Sequence, residues 1–161
     1  MINQQQLLNL IPLACEWVEE QEQFILKNGS PLSEKQMFIA SKIGIINANK
    51  IRIKKVDFIP EPTNDLLYKA SKSLGLISTH TIGTAYRYGI YIQEEYWEND
   101  RLLIHELMHT LQYERLGGIA NFLNQYIKEC VYFGYEKSKL EIEARNMEAK
   151  LEEIINQYQK H

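Results

Sequence analysis

One helical run constrains this chain more than any other stretch: Asp100-Arg-Leu-Leu-Ile-His-Glu-Leu-Met-His-Thr-Leu-Gln-Tyr113. Leu102, Leu103, Ile104, Leu107, Met108 and Leu111 make it the most apolar helix of the sequence, so it belongs at the centre of the fold. The same run carries His105, Glu106 and His109. A central helix does not ordinarily bury three such groups without partners, because unpaired polar groups away from water are costly. Side chains four residues apart stack on one helical face, so both imidazoles can reach a single point. The pattern is HExxH, and one metal ion held by both histidines would satisfy all three groups. A tetrahedral zinc with three protein ligands keeps a fourth position open and acidifies water there to roughly pKa 7. Glu106, one residue after the first histidine, is then the candidate general base.

A closed ligand set needs a third donor downstream. An HExxHxxGxxH pattern would put a histidine at 115, but that residue is Arg115, with Gln112 where the glycine would stand. The only later histidine is His161, at the final position. A glutamate on a following helix is the other common solution, and Leu140-Glu-Ile-Glu-Ala144 offers two. Residues 138–159 read as one long helix whose apolar face is Leu140, Ala144, Met147, Leu151, Ile154 and Tyr158. Glu143 flanks that face, whereas Glu141 lies nearer the polar side with Arg145, Glu148 and Glu152. Ser138-Lys-Leu-Glu141 also spells a capping box, which would turn the Glu141 carboxylate back to the helix start. Glu143 is therefore favoured as the ligand, with Glu141 as the alternative.

The rest of the chain supplies a frame. Residues 3–11 and 13–27 read as a helix kinked or broken at Pro12 and ending at Asn28-Gly29. Ser33 and Gln36 form a capping box for a second helix, which stops near Gly44. Residues 51–59 are β-branched and largely alternating, hence a strand, ended by Pro60 and Pro62. Thr63 or Asn64 caps a short helix closed by Gly75, and residues 81–93 suggest one or two strands interrupted at Gly83 or Gly89. The motif helix covers about 99–115 and stops at Gly117-Gly118, and a further helix spans 119–131. The expected fold class is α+β and helix-dominated, with a small sheet packed on the central HExxH helix and helices at both ends. One domain over 1–161 is expected, with N-terminal helices in 1–48, strands and a short helix in 51–93, and the metal-site helices in 99–161.

Several function classes are disfavoured. The net charge is −3, and the densest basic stretch, Lys50-Ile-Arg-Ile-Lys-Lys55, alternates along a strand, so no nucleic-acid surface is expected. No apolar run approaches the length needed to cross a bilayer, so no membrane partner is expected either. The segment Leu7-Leu-Asn-Leu-Ile-Pro-Leu-Ala-Cys15 lacks a basic flank and has Pro12 where a lipobox wants leucine, so it reads as a structural helix. Cys15 and Cys130 stand far apart with no CxxC, as expected of free thiols in a reducing, cytoplasmic setting.

A helical HExxH followed by a helix with a glutamate before a small residue, here Glu143-Ala144, resembles the gluzincin type of zinc peptidase. More closely, the stretch His105-Glu-Leu-Met-His-Thr-Leu-Gln-Tyr-Glu-Arg-Leu-Gly-Gly118 looks like a family of small bacterial HExxH proteins defined by sequence. Phe122-Leu, Tyr126, Leu140-Glu-Ile-Glu-Ala-Arg145, Gly75-Leu76 and the Tyr88-Gly-Ile segment share in that likeness. The chain lacks the NExxSD form of the glutamate helix found in larger gluzincins.

The resemblance implies a compact zincin-like metallopeptidase fold acting on a peptide or protein. Zn2+ would be held by His105, His109 and Glu143, with Glu106 activating water. Tyr88, Tyr91, Tyr113 and His80 are candidates to stabilise an oxyanion. Gln112, about one turn from His109, is a candidate to fix that ring's tautomer. The strand near 84–92 could pair with an extended peptide by strand addition. A non-catalytic zinc-binding module and a metal-free helical interaction domain are the competing readings. Glu106 favours hydrolysis over the former, since a structural site has no use for a general base.

Overall fold

Proline at position 12 does not break the first helix. The computed structural model describes residues 2–78 and 80–160, so the reading of His161 lies outside the described residues. In it α1 (Gln4–Asn28) continues without a break through Pro12. Proline removes the N–H that would bond the carbonyl four residues back, at Leu8. Both Pro12 and Leu8 are exposed, so water can take that carbonyl.

After α1 come β1 (Ser30–Pro31), α2 (Glu34–Ile43), β2 (Arg52–Val56) and α3 (Asp65–Ser73). The hairpin strands β3 (Gly83–Tyr86) and β4 (Gly89–Gln93) precede the motif helix α4 (Asp100–Leu116). The chain closes with α5 (Ile119–Phe133), α6 (Lys139–Glu148) and α7 (Leu151–Gln159). The expected helix-dominated α+β class, with a small sheet beside the motif helix, is what the described residues form. The Ser33–Gln36 capping box is present, and Asn64 caps α3.

The sheet is mixed, in the order β1-β2-β4-β3. β2 runs parallel to β4, with Ile53 opposite Ile90, and β3 pairs antiparallel with β4 and leaves its far side as the sheet edge. Side chains alternate across a strand. Ile90 and Ile92 accordingly join a core with Ile39, Ile53, Ile104 and Leu107, while Tyr91 joins a second core with residues of α1, α3 and α5. α1 sits so close to β4 that a Cβ on Gly89 would lie 3.0 Å from that of Ile25. The β3–β4 turn places Arg87 in the left-handed region, at φ 59°. Glu22, 1% exposed, holds it there, accepting two hydrogen bonds from the Arg87 guanidinium and one from the Tyr88 N–H.

One expectation fails at the C-terminus. Residues 138–159 do not form one helix: α6 ends at Glu148, and α7 begins at Leu151. α7 then packs on α2, with the Phe38 and Tyr158 rings 5.3 Å apart. Apolar periodicity continues through the break, which is why the sequence pattern does not reveal it. No helix among the described residues is long and apolar enough to cross a membrane.

Candidate metal centre

α4 is pinned at both ends. The Asn99 side chain accepts the Leu102 N–H at 3.0 Å, and Gly117 ends the helix at φ 93°, a conformation that favours glycine. Between these stops Leu103, Ile104, Leu107 and Met108 bury the helix, and His105, Glu106 and His109 turn to a cleft on its other side. α6 brings the facing carboxylate. Ser138 caps α6, but Glu141 does not complete the capping box. The Ser138 N–H goes instead to the Tyr135 carbonyl at 3.2 Å, and Glu129 of α5 braces the cap, accepting from the Ser138 hydroxyl at 2.9 Å and the Leu140 N–H at 3.1 Å. The Glu141 side chain is thereby free to point at α4.

His105 Nε2 lies 3.2 Å from His109 Nε2. Glu141 Oε1 is 3.0 Å from His105 Nε2, and its Oε2 is 2.9 Å from His109 Nε2. Two ligand atoms about 2.0–2.1 Å from one tetrahedral ion stand roughly 3.3 Å apart. The three donors thus have the chemistry and close to the mutual spacing of a zinc ligand set, and they form the one group of this kind among the described residues.

The electrostatics agree with that fit. Glu106, Glu141 and Glu148 all act on the His105 imidazole, and Glu106 and Glu141 on that of His109. Burial works against the Glu141 carboxylate, yet hydrogen bonds from His105, His109 and Tyr126 hold it well below the usual carboxylate range. Burial also opposes charge on His105, but the Glu141 hydrogen bond and the three carboxylates raise its pKa to about 9. His109 is raised for similar reasons against complete burial. Protons on the imidazoles stand in for the positive charge a dication would bring. Glu106 moves the other way for a carboxylate: burial raises it, and the two histidines offset this only in part. It is 4% exposed, lines the cleft, and has no hydrogen-bond or ion-pair partner among the described residues.

A further ring of contacts orients the donors. Gln112 is fully buried, and its Nε2 donates to the Leu140 carbonyl at 2.9 Å and to Glu143 Oε1 at 2.8 Å. Its Oε1 must therefore face His109 Nδ1, 2.8 Å away, so that nitrogen carries a hydrogen and Nε2 is the one that faces the cluster, where a metal would take the place of its proton. Glu148 Oε2 stands 3.5 Å from His105 Nδ1, and the Tyr126 hydroxyl donates to Glu141 Oε2 at 2.7 Å.

The carboxylate facing the histidines is thus Glu141, not the favoured Glu143. Glu143 is half-buried on the outer side of α6, paired with Arg115 through two hydrogen bonds and with Gln112. Two features misdirected the sequence reading: the Ser138 N–H is taken by the Tyr135 carbonyl, so no capping box forms, and the inward face of the short α6 is Leu140, Glu141 and Ala144. The i, i+7 pair Glu141 and Glu148 was the available signal, since both reach His105.

The tyrosine candidates divide. Tyr113 lines the cleft, stacked on Phe122 with centroids 3.7 Å apart. Tyr88 donates to Glu114, Tyr91 to Gln21, and neither lines the cleft. His80 is exposed at the cleft's rim. Tyr86, Trp17 and Tyr126, which sequence reasoning passed over, all line the cleft. Compared with models of protein families, with curated proteins and with solved structures, the chain finds no match.

Proposed function

We propose that this protein is a zinc-dependent metallopeptidase of zincin-like build, with His105, His109 and Glu141 as ligands and Glu106 as general base. Glu106 carries the reading. A buried carboxylate without a partner is costly, and a metal site that only braced the fold would have no use for one opening on a cleft beside three donors. Zinc held there would act as a Lewis acid on a carbonyl and lower the pKa of water at its open position.

The chain's own residues supply the rest. Burial raises the Glu106 carboxyl above its ordinary value, the direction that suits a group taking and returning a proton. Gln112 keeps the His109 lone pair on the cluster, and Tyr126 steadies Glu141. β3 ends the sheet beside α4, so its free backbone groups suit an extended peptide laid along it as an added strand. Gly83 keeps that approach narrow: a Cβ there would lie 3.1 Å from Leu102 Cδ1 and 3.5 Å from Glu106 Cγ. The free thiols Cys15 and Cys130 fit a reducing, cytoplasmic setting.

The test is metal content by mass spectrometry on purified protein, followed by a peptide-library cleavage screen with Glu106→Gln as the inactive control. Near-stoichiometric zinc and cleavage that Glu106→Gln abolishes are expected. A protein that takes up no zinc even when it is supplied would overturn the reading.

A further inference from the structure

All the arginines of the chain but one are engaged. Arg52 donates to the Asn49 and Ile51 carbonyls, and Arg145 to that of Glu136. Arg87 pairs with Glu22, and Arg115 with Glu143. Arg101 is exposed and has no hydrogen-bond or ion-pair partner among the described residues. It is also the one lysine or arginine among them that lines the cleft of the histidine cluster. It stands one turn before His105 on the same face of α4, about 6 Å back along the helix axis. Its neighbour Leu102 packs over Gly83, which sets the 78–82 loop beside it.

This rim is rich in donors. Asn99 commits its Oδ1 to the Leu102 N–H, and Thr81 commits its Oγ1 to the Ser78 N–H. The Asn99 Nδ2 hydrogens and the Thr81 hydroxyl hydrogen therefore have no acceptor among the described residues, and both side chains line the cleft. At the cluster the sign of the charge reverses. Glu106, Glu141 and Glu148 line the same cleft, and three carboxylates outweigh even a dication held among them. An anionic group is repelled from that end and drawn to the rim, a contrast that low-dielectric walls sharpen.

We propose that Arg101, with Asn99 and Thr81 beside it, binds a carboxylate of the substrate and so sets where the peptide is cut. A planar guanidinium meets a carboxylate through two parallel hydrogen bonds, which fixes orientation as well as position. Helical side chains lean back toward the helix start, so the guanidinium stands roughly 6–12 Å from the cluster. That span is about two to three residues of extended peptide. The carboxylate is either the peptide's own terminus or an acidic side chain at that distance from the bond cut. The assignment rests on the peptidase reading, but binding of the carboxylate needs no metal, so the two can be tested apart.

The full-length protein, stripped with a chelator, is titrated with N-acetyl-trialanine carrying its free carboxylate, with the same peptide amidated, and with amidated N-acetyl-alanyl-alanyl-aspartate. Acetate is the further control. Arginine Nε–H resonances are followed by NMR, with Arg101→Lys assigning the Arg101 signal. A saturable shift of that signal with a carboxylate peptide is expected, and none with the neutral amide or acetate. Response to the free terminus assigns the site to the end of the substrate, and response to the aspartate peptide assigns it to an acidic residue. Arg101→Gln, followed at the Gly83 backbone amide, should weaken the responding peptide about five- to tenfold, between the effect of an exposed ion pair and that of a buried charged hydrogen bond. Its Tm should match wild type, since Arg101 has no partner to lose. No Arg101 shift, an equal shift with the neutral amide or acetate, or unaltered binding in Arg101→Gln overturns the carboxylate site. Carboxylate-dependent binding by a protein that neither holds zinc nor cleaves peptides would leave the site standing and remove the peptidase. Zinc-dependent cleavage indifferent to Arg101→Gln and to substrate carboxylates would do the reverse.

Discussion

Replacing Glu141 with glutamine probes both the cluster and the choice of its carboxylate. The side chain is 1% exposed and meets His105 Nε2 at 3.0 Å, His109 Nε2 at 2.9 Å and the Tyr126 hydroxyl at 2.7 Å. Glutamine keeps the volume and removes the charge. Hydrogen bonds to a charged group contribute about 1.5–3 kcal/mol each, but these three share one charge and do not add. Breaking a buried ion pair costs about 3–5 kcal/mol, which sets the scale here. At roughly 2–4 °C per kcal/mol for a chain of this size, the chelated variant should melt about 6–20 °C below wild type. Glu143→Gln is the comparison. Its pair with Arg115 has side chains 38% and 47% exposed, and such surface pairs contribute about 0–1 kcal/mol, so a drop of only a few degrees is expected. Calorimetry in chelator gives the melting points, and mass spectrometry after zinc loading gives the metal. Glu141→Gln should lose zinc and Glu143→Gln keep it. The reverse pattern would refute the geometric assignment.

Three further outcomes follow from the same contacts. Glu106→Gln should keep zinc, lose hydrolysis, and melt higher than wild type in chelator, because a buried unpaired carboxylate disappears; a lower Tm would contradict this. Gln112→Leu removes the partner of His109 Nδ1 and should weaken zinc about 10–100-fold in a competition titration with a coloured chelator; unchanged affinity would rule out the orienting role. Glu114 accepts from the Ile46 and Asn47 N–H groups and the Tyr88 hydroxyl, at 2.8, 2.9 and 2.8 Å, so Glu114→Ala should cost about 1.5–3 kcal/mol at pH 7. Burial raises its pKa, but these hydrogen bonds outweigh that and hold it below the usual carboxylate value, about 4.3. A depressed folded pKa means stability present above the unfolded value and lost as pH falls through the folded one. The Tm gap between wild type and Glu114→Ala should therefore be full above about pH 5 and narrow toward acid; a gap constant from pH 7 to pH 3 would count against it.

Local chemistry was the legible part of this chain. Ser33 with Gln36, Asn64, and Gly117 after Leu116 announce helix ends through bonds within a few residues. The HExxH spacing likewise announces the histidine pair, because one helical turn brings the rings together. What stayed hidden depends on distant partners. Glu129, twelve residues back on α5, braces the start of α6 in place of the Glu141 side chain, and nothing near residue 141 in sequence signals it. The Tyr88 hydroxyl goes to Glu114 because the β3–β4 turn, held by Glu22, faces away from the cluster. Tyr86 and Trp17 look like ordinary core aromatics in sequence, and only the three-dimensional packing shows that their polar atoms are enclosed with no hydrogen-bond partner among the described residues.

The donors belong to α4 and α6, and the whole of α5 lies in the chain between His109 and Glu141. An ion shared by them would work as a clasp, joining two points about thirty residues apart and withdrawing that loop's freedom from the unfolded chain. The looped-out segment is also the one that lends Phe122, Leu123 and Ile127 to the cleft. Unfastening the clasp would slacken that wall ahead of the sheet, so the supply of metal would govern the pocket's shape as well as its chemistry.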